Sequence, residues 1–287
     1  MNIAFVTDRE HDDLTPDDRL LVNWFAKQGH RVIAAVWDDP DIKWDPFDAI
    51  VIRSVWDYFK RIHEFDRWLE KMETVKKPIF NPLSVVRWNK NKTYLGWFKE
   101  KGILIPEGII RPQGHSADLK GWLEQLGFEK AVIKPTISGG AYKTWVTTPD
   151  LANRHQTAFD ALLNEQDVIL QRFSEEIVSH GELSLIYFNR KFSHAICKKA
   201  KPGDFRVQTQ YGGQYHPYFP EYELFLQVEK ILELIPETLL YARIDGYLDA
   251  CNRFVLMELE LIEPALFLDS HPDACRNFYE AFTAMLI

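Results

Sequence analysis

Apolar and polar residues alternate along two neighbouring stretches near the end of the chain, from 241 to 248 and from 254 to 262. Side chains alternate faces along a strand, so each stretch predicts a β-strand with two distinct faces. In the second stretch one face holds Phe254, Leu256, Glu258, Glu260 and Ile262, and the other holds Val255, Met257, Leu259 and Leu261. In the first stretch one face holds Arg243, Asp245 and Tyr247. A loop of four residues, at 249–252 or 250–253, predicts an antiparallel hairpin that places Asp245 across from Glu258 or diagonal to it.

Three acidic side chains therefore crowd one side of this predicted hairpin. Like charges repel, and each raises the pKa of its neighbours unless a cation lies between them. Mg²⁺ takes one or two carboxylates and completes its shell with substrate phosphates and water. The pattern therefore predicts a metal site formed by Asp245, Glu258 and Glu260. The alternative is a solvated polar face on which Arg243 is the counter-ion.

The first 90 residues alternate short apolar runs with amphipathic segments. The apolar runs at 2–7, 31–37 and 49–52 predict buried strands, and the helical spacing of apolar residues at 17–28 and 62–72 predicts helices. This β-α-β-β-α-β order predicts a small, mostly parallel, Rossmann-like sheet. It contains no G-x-G-x-x-G segment, so no dinucleotide is assigned to it.

Polar clusters follow two of these strands, where ligands of open α/β sheets bind. One is the segment 7–10. The other consists of Arg53, Ser54, Trp56, Asp57 and Tyr58. Its guanidinium, hydroxyl, aromatic rings and carboxylate are suited to binding an amino-acid-like substrate. The alternative is that Trp56 and Tyr58 pack in the interior and Arg53 pairs with Asp57. The acidic segment 8–18 is expected to be a solvated loop and a helix N-terminus, where acidic side chains suit the helix dipole.

A strand-end lysine and a glycine pair are candidate phosphate ligands. Lys134 ends the apolar run 131–135 and precedes Ser138, Gly139 and Gly140, a loop whose amides are able to approach phosphate oxygens. A lysine at the end of so apolar a strand either extends to solvent or neutralises an anion. Lys92, predicted on the preceding helix, is placed to meet it from the opposite wall.

Further charged residues accompany the strands of the last third of the chain. Arg206, with Lys198 or Lys199, adds a fork-shaped cation suited to phosphate or carboxylate. Glu182 faces the same side of its strand as Ser184. A Walker P-loop, an H-E-x-x-H segment and a G-x-S-x-G elbow are absent from the sequence, so the predicted phosphate chemistry uses different machinery.

Composition limits the class of protein. The chain has 287 residues, 46% of them hydrophobic, which is enough for two or three domains with buried cores. A net charge of −8 without a long basic run argues against nucleic-acid binding. Three widely spaced cysteines, no signal-like N-terminus and no apolar run of membrane-spanning length favour a cytoplasmic protein with no membrane partner.

The order of these parts resembles the ATP-grasp superfamily. A lysine on a helix and a strand-end lysine before a glycine-rich loop are followed by Gln171-Arg172-Phe173, by GDFR and by Asp…Glu-x-Glu. The segments RSVWDYF, RWNKNKTYL, GELSLIYF, FSHA, KPGDFRVQ and MELELIEPALF are similar to glutathione-synthetase-like members, within the subgroup that includes D-cycloserine synthetase. The resemblance covers essentially the whole chain.

The resemblance implies an α/β (α+β) ATP-grasp fold with three domains. These are a Rossmann-like pre-ATP-grasp domain at 1–90, a lid-like middle domain at 91–170 and a metal-bearing domain at 171–287. It implies that ATP is bound by Lys92, Lys134, Ser138, Gly139, Gly140, Gln171, Arg172, Phe173, Glu176 and Glu182. Catalysis is assigned to Arg206 and Lys198, and two Mg²⁺ ions to Asp245, Glu258 and Glu260. Many members have Asn where this chain has Glu260, which adds a negative charge at the second metal.

The activity that the resemblance implies is an ATP- and Mg-dependent carboxylate–amine ligase. A carboxylate of a small amino-acid-like substrate would take the γ-phosphate, and an amine would then displace phosphate from the acyl-phosphate. Related ligases are often dimers, so the resemblance allows a homodimer. The alternatives are a nucleotide-binding regulatory protein that keeps the fold without ligase activity, and a phosphotransferase with another acceptor.

Overall fold

The structure is a computed structural model that describes residues 1–115 and 118–286. Its first sheet is parallel, with strand order β2-β1-β3-β4, as the alternating pattern predicts. Helix α1 begins where Thr15 caps the amide of Asp18 and proline occupies the first turn. The elements of this part are β1 (Asn2–Thr7), α1 (Pro16–Lys27), β2 (Arg31–Val36), β3 (Ala49–Ser54), α2 (Ile62–Glu73), β4 (Ile79–Phe80), α3 (Leu83–Asn89) and α4 (Tyr94–Glu100).

The second sheet is antiparallel, with strand order β5-β8-β6-β7. Two helices cover one of its faces, and their apolar residues Leu123 and Phe159 join strand residues such as Ile133 in a separate core. Its elements are β5 (Gly108–Arg111), α5 (Leu119–Leu126), β6 (Ala131–Pro135), β7 (Trp145–Thr147), α6 (Pro149–Glu165) and β8 (Val168–Arg172).

The third sheet has five antiparallel strands in the order β11-β10-β9-β12-β13. Strand β9 is buried along its whole length because a sheet strand covers each edge and helices cover a face. The elements are α7 (Glu175–His180), β9 (Glu182–Phe188), β10 (Lys191–Lys199), β11 (Gln214–Tyr218), α8 (Tyr222–Glu233), β12 (Tyr241–Leu248), β13 (Phe254–Glu260) and α9 (Ala274–Ala284). The last residue of the predicted third domain, Ile287, lies outside the described residues.

Hydrophobic contacts join the elements around the first sheet to the third sheet, across the predicted domain boundaries. Tyr94 and Phe98 of α4 pack with Leu185 and Leu256 of the third sheet, although residue 91 was predicted to open the middle domain. Helix α9 packs on the other side, where Phe278 contacts both Phe25 of α1 and Phe188 of β9. The boundaries themselves stay predictions. None of the described helices is long and apolar enough to cross a membrane.

The predicted antiparallel hairpin is confirmed, with two corrections. Leu248 pairs with Phe254, so the loop at 249–253 has five residues and not the four that were predicted. Asp245 of β12 pairs directly with Glu258 of β13, and Arg243 pairs with Glu260. The register then shifts, because Gly246 pairs with Leu256 and leaves Met257 as an extra residue. This bulge turns Leu256 and Phe254 into the apolar core with Leu259 and Leu261, and the prediction that they share the face of the glutamates was wrong.

Candidate active site

One cavity of about 710 Å³ lies where the three sheets meet. Its volume is in the range of ligand-binding pockets. Most of the predicted site residues line it, namely Trp56, Tyr58, Lys92, Lys134, Ser138, Gly139, Gly140, Gln171, Phe173, Glu182, Lys198, Arg206, Asp245, Glu258 and Glu260. The other predicted residues are not in its lining, namely Arg53, Ser54, Asp57, Arg172 and Glu176.

Two buried lysines, Lys92 and Lys134, line the cavity. Lys92 lies in the turn between α3 and α4 rather than on a helix, and its Nζ atom is 3.1 Å from Oε1 of Glu258. The same ammonium donates to the carbonyl of Ser138. Lys134 is at the end of β6 and 9% exposed, and burial lowers its pKa. Both lysines are thus withdrawn from water and aimed at the same space, which favours an anionic ligand.

The glycine loop after β6 is held closely by two other parts of the chain. A Cβ atom on Gly139 would lie 2.8 Å from Cε1 of Phe59, which explains why this position is glycine. Gly140 has a positive φ of 56°, and its carbonyl accepts a hydrogen bond of 3.0 Å from Gln210. The loop therefore closes the cavity between the first sheet and the segment before β11.

A chain of ionic contacts crosses the floor of the cavity. Nζ of Lys198 on β10 is 2.7 Å from Glu182 and 3.3 Å from Asp245, and Ser184 donates to Asp245 from the neighbouring strand. Burial alone would lower the pKa of Lys198, but the two carboxylates raise it above its usual range. Burial raises the pKa of Glu182. The ammonium is thus kept charged at the floor of the site.

Arg243 is the direct counter-ion of two of the three predicted metal ligands. It forms an ion pair of 2.8 Å with Asp245 and a second one with Glu260. Although burial opposes ionisation, Arg243 and Lys198 lower the pKa of Asp245 to about 2. Burial and the neighbouring acid Glu258 raise the pKa of Glu260 to about 7, despite the contact with Arg243.

The acids do not by themselves form a complete metal site. Within the described part of the chain, no group of three or more His, Cys, Asp and Glu side chains is arranged to hold a metal ion. Asp245 is 3% exposed and is engaged by Arg243, Lys198 and Ser184. The side chains of Glu258 and Glu260 keep 31% and 25% of their surface exposed and line the cavity. Two carboxylates beside a space for phosphates fit the ligand preference of Mg²⁺.

Arg206 is positioned by its own segment. Its guanidinium makes two hydrogen bonds to Asp204, of 3.1 and 2.9 Å, and lies 3.7 Å above the ring of Tyr211. The pKa of Arg206 is raised, chiefly by the hydrogen bond to Asp204. The cation faces the cavity from the same segment whose Gln210 holds the glycine loop.

The predicted adenine hinge is partly at the cavity. Gln171 and Phe173 line it, and the ammonium of Lys130 lies 3.5 Å over the ring of Phe173. Arg172 points the other way and forms an exposed ion pair of 2.7 Å with Glu107. Glu176, on the short helix α7, is half-buried outside the lining.

Arg53 is a structural residue in this fold, contrary to both sequence interpretations. It is 1% exposed and forms an ion pair of 2.8 Å with Asp18, which is also 1% exposed. Its Nη2 atom donates to the carbonyl of Pro264. Asp18 was expected at a helix N-terminus, and it does lie in the first turn of α1, but it is buried there. Asp57, the expected partner of Arg53, contacts Trp37 and Arg61. Ser54 is fully buried, and its hydroxyl is hydrogen-bonded to the hydroxyl of Thr7.

A histidine that the sequence analysis did not select lies at the cavity wall. His11 follows β1 and is 2.7 Å from Asp8 through its Nδ1 atom, and Asp8 is 1% exposed rather than solvated. The ring of His11 meets Trp56 edge-on, with centroids 4.8 Å apart. The sequence provided only an adjacent signal, because the polar segment 7–10 follows a buried strand at the sheet edge where ligands bind and ends one residue before His11.

The segment 263–268, just beyond the acidic strand, is hydrogen-bonded to the first sheet and its helices. Nε1 of Trp56 donates to the carbonyl of Glu263 at 2.8 Å. Asp17 accepts from the amides of Leu266 and Leu268, at 2.8 and 2.7 Å. These contacts bring the predicted substrate wall and the glutamates of β13 into one cavity.

This arrangement of sheets around a shared cavity defines the class: the chain has the ATP-grasp fold, as predicted. Residues 3–81 match the family model described as the N-terminal domain of D-cycloserine synthetase DcsG. Over 302 residues the chain is 29% identical to the cycloserine biosynthesis protein DcsG of Streptomyces lavendulae, covering 99% of this chain and 98% of the relative. The chain therefore resembles D-cycloserine synthetase along its whole length.

Solved structures agree with this class. The crystal structure of D-cycloserine synthetase DcsG is similar with a TM-score of 0.86 at 24% identity, covering 100% of both chains. The D-alanine–D-alanine ligase of Bacillus anthracis is similar with a TM-score of 0.71 at 16% identity, covering 100% of this chain and 97% of that one. At these identities the two solved structures show that the fold is shared.

Proposed function

We propose that the protein is an ATP- and Mg-dependent carboxylate–amine ligase that acts through an acyl-phosphate on a small amino-acid-like substrate. The observation that carries this proposal is the shared cavity, in which two buried lysines and two partly exposed glutamates converge. The first 90 residues bind the substrate, residues 91–170 cover the nucleotide and the remainder carries the metal ligands. A cytoplasmic location and a homodimer stay predictions.

The nucleotide lies between the second and third sheets. Phe173 and Gln171 flank the base, and Lys92 and Lys134 neutralise the phosphates beneath the glycine loop. Buried cations of this kind stabilise charge in a phosphoryl-transfer transition state without reorganising, and this effect is large in a site that excludes water. Arg206 contacts the γ-phosphate, and Lys198 neutralises the carboxylates of Glu182 and Asp245 at the floor of the cavity.

Glu258 and Glu260 hold Mg²⁺ together with phosphate oxygens. The ion supplies charge neutralisation on the phosphates when it is bound. Arg243 holds both Glu260 and Asp245 by ion pairs. Burial raises the pKa of Glu260 to about 7, repulsion from Glu258 and Asp245 adds to the rise, and this repulsion is what a cation relieves.

The substrate lies against Trp56 and Tyr58. Both side chains line the cavity, where they offer aromatic surface to a small molecule. Two of the similar proteins, D-cycloserine synthetase and the D-alanine–D-alanine ligase, are ligases of small amino-acid-like molecules, which agrees with a small zwitterion. The glycine loop and the segment at 204–211 exclude water, which otherwise hydrolyses an acyl-phosphate.

The test is an ADP-release screen with Mg-ATP across amino acids, dipeptides and O-ureido-D-serine. We expect ADP to be released with one of these substrates, with an equimolar amide product. EDTA should abolish the release, and added Mg²⁺ should restore it. Lys134→Met should raise the KM for ATP strongly, whereas Lys43→Met, which removes a lysine that does not line the cavity, should not. No ADP release with any carboxylate–amine pair would favour the nucleotide-binding regulatory protein.

A further inference from the structure

The pair formed by Asp8 and His11 is held rigidly at the wall of the cavity. Asp8 is 1% exposed, and its amide donates to the carbonyl of Ser54 at 3.0 Å. Its carboxylate accepts both from the backbone amide of His11, at 3.0 Å, and from the ring Nδ1 atom, at 2.7 Å. Thr7 donates to the carbonyl of His11 at 2.8 Å. Backbone and side chain of the histidine are therefore both fixed.

These contacts decide which ring nitrogen of His11 is a base. An ionised carboxylate only accepts hydrogen bonds, so the Nδ1 atom that faces Asp8 carries the hydrogen. In the neutral ring the lone pair then lies on Nε2. Among residues 1–115 and 118–286, no hydrogen-bond partner meets this Nε2 atom. The ring itself lines the cavity.

Trp56 connects this base to the proposed substrate wall. The indole and the His11 ring pack in a T-shaped arrangement at an interplanar angle of 76°, and Nε1 of Trp56 donates to the carbonyl of Glu263. The imidazole is thereby placed beside the surface that contacts the substrate, on the side of the cavity where β13 ends. A structural cap for the turn at 9–11 would need only the Asp8 carboxylate, and does not require an imidazole at the cavity.

We propose that His11 is the general base for the amine nucleophile of the ligation, with Asp8 as its positioning residue. This role rests on the proposed function. The substrate ammonium transfers one proton to Nε2 of His11, and the freed nitrogen lone pair forms the C–N bond at the acyl carbon. The tetrahedral intermediate breaks its C–O bond to phosphate, which leaves with the second nitrogen proton as hydrogen phosphate. His11 then returns its proton to water.

The test compares two nucleophiles for the same acyl-phosphate. Hydroxylamine is mostly unprotonated at neutral pH and needs no base, whereas an amino-acid ammonium does. O-ureido-D-serine and D-alanine serve as trial carboxylates with Mg-ATP. Hydroxamate is measured with ferric ion and amide product by mass spectrometry. The variants are His11→Gln and Asp8→Asn, with His63→Gln, an exposed histidine on α2, as the control.

We expect His11→Gln to lower amide formation about 10²–10⁴-fold while hydroxamate formation stays close to that of the wild-type protein, because general-base catalysis contributes about this much. Asp8→Asn should show the same selective loss to a smaller degree, and His63→Gln should show none. Equal retention of both products, or equal loss of both, would overturn this role and leave the ligase proposal standing. Absence of hydroxamate and ADP from the wild-type protein with every carboxylate tried would overturn both.

Discussion

The buried ion pair between Arg53 and Asp18 makes a sharp prediction about stability. Both side chains are 1% exposed, and Arg53→Met removes the 2.8 Å contact to Asp18 together with the 3.0 Å bond to Pro264. Asp18 then keeps a buried charge whose remaining side-chain partner is the hydroxyl of Thr15. Removing one member of a buried pair costs about 3–5 kcal/mol. At about 1.4 kcal/mol per factor of ten, the folded-to-unfolded ratio should fall about 10²–10⁴-fold.

The assay is urea unfolding followed by fluorescence, with the free energy extrapolated to water. The double variant Arg53→Met/Asp18→Leu should recover much of the loss, because no unpaired charge is left in the interior. Arg253→Met is the matched control. Arg253 also pairs with an aspartate, Asp249, but its side chain is 59% exposed, and its loss should cost less than about 1 kcal/mol.

The same variant separates a structural residue from a substrate ligand. If Arg53→Met left the free energy of unfolding unchanged but raised the KM for the amino-acid substrate, Arg53 would be a substrate ligand after all. We expect the opposite result. Under conditions where the variant stays folded, its KM should be close to that of the wild-type protein, since Arg53 does not line the cavity.

Three further outcomes follow from the site and its surroundings. Arg206→Ala should lower turnover about 10²–10³-fold with a smaller effect on ATP affinity, the loss of about 2.7–4 kcal/mol expected for one transition-state partner; near-normal turnover would contradict its role. Gly139→Ala should raise the KM for ATP, because the new Cβ would lie 2.8 Å from Phe59, and adding Phe59→Leu should reverse the effect. Burial lowers the pKa of His194 from 6.5 to about 4, so the unfolded chain takes up a proton below pH 6.5 that the folded protein does not. Stability should therefore fall by about 2 kcal/mol between pH 7 and pH 5, and an equal fall in His194→Gln would refute this.

The acidic hairpin shows what local pattern is able to predict. Strand alternation was enough to place Asp245 and the glutamates on facing strands. The loop has five residues and not the predicted four, and the bulge restores the pairing of Asp245 with Glu258. The bulge at Met257 was not predictable, since nothing in an alternating run indicates which residue is left unpaired. The order of the lysines, the glycine loop and the acids was enough to predict the fold. Several motifs along the whole chain indicate the same fold, so the prediction does not depend on any one of them.

The substrate wall shows where local pattern fails. Arg53 follows the apolar run 49–52 in a polar cluster, a position typical of a ligand residue, but it lies within β3 and its partner Asp18 is 35 positions away. The opposite error was made for Asp8 and His11. A run of acidic residues indicates a solvated loop, and the sequence does not show that Asp8 is buried. Pairings between distant segments depend on tertiary packing, and a single sequence does not contain that information in readable form.

The hydrogen bonds that join the segment 263–268 to the first sheet have a consequence for exchanging parts between relatives. Trp56, Asp17 and Arg53 hold backbone groups of that segment, and the glutamates of β13 come immediately before it. A chimaera that imports only the first 81 residues would present foreign side chains to these carbonyls and amides. Substrate specificity therefore depends on two separate parts of the sequence, the first 81 residues and the segment 263–268, and a chimaera must exchange both.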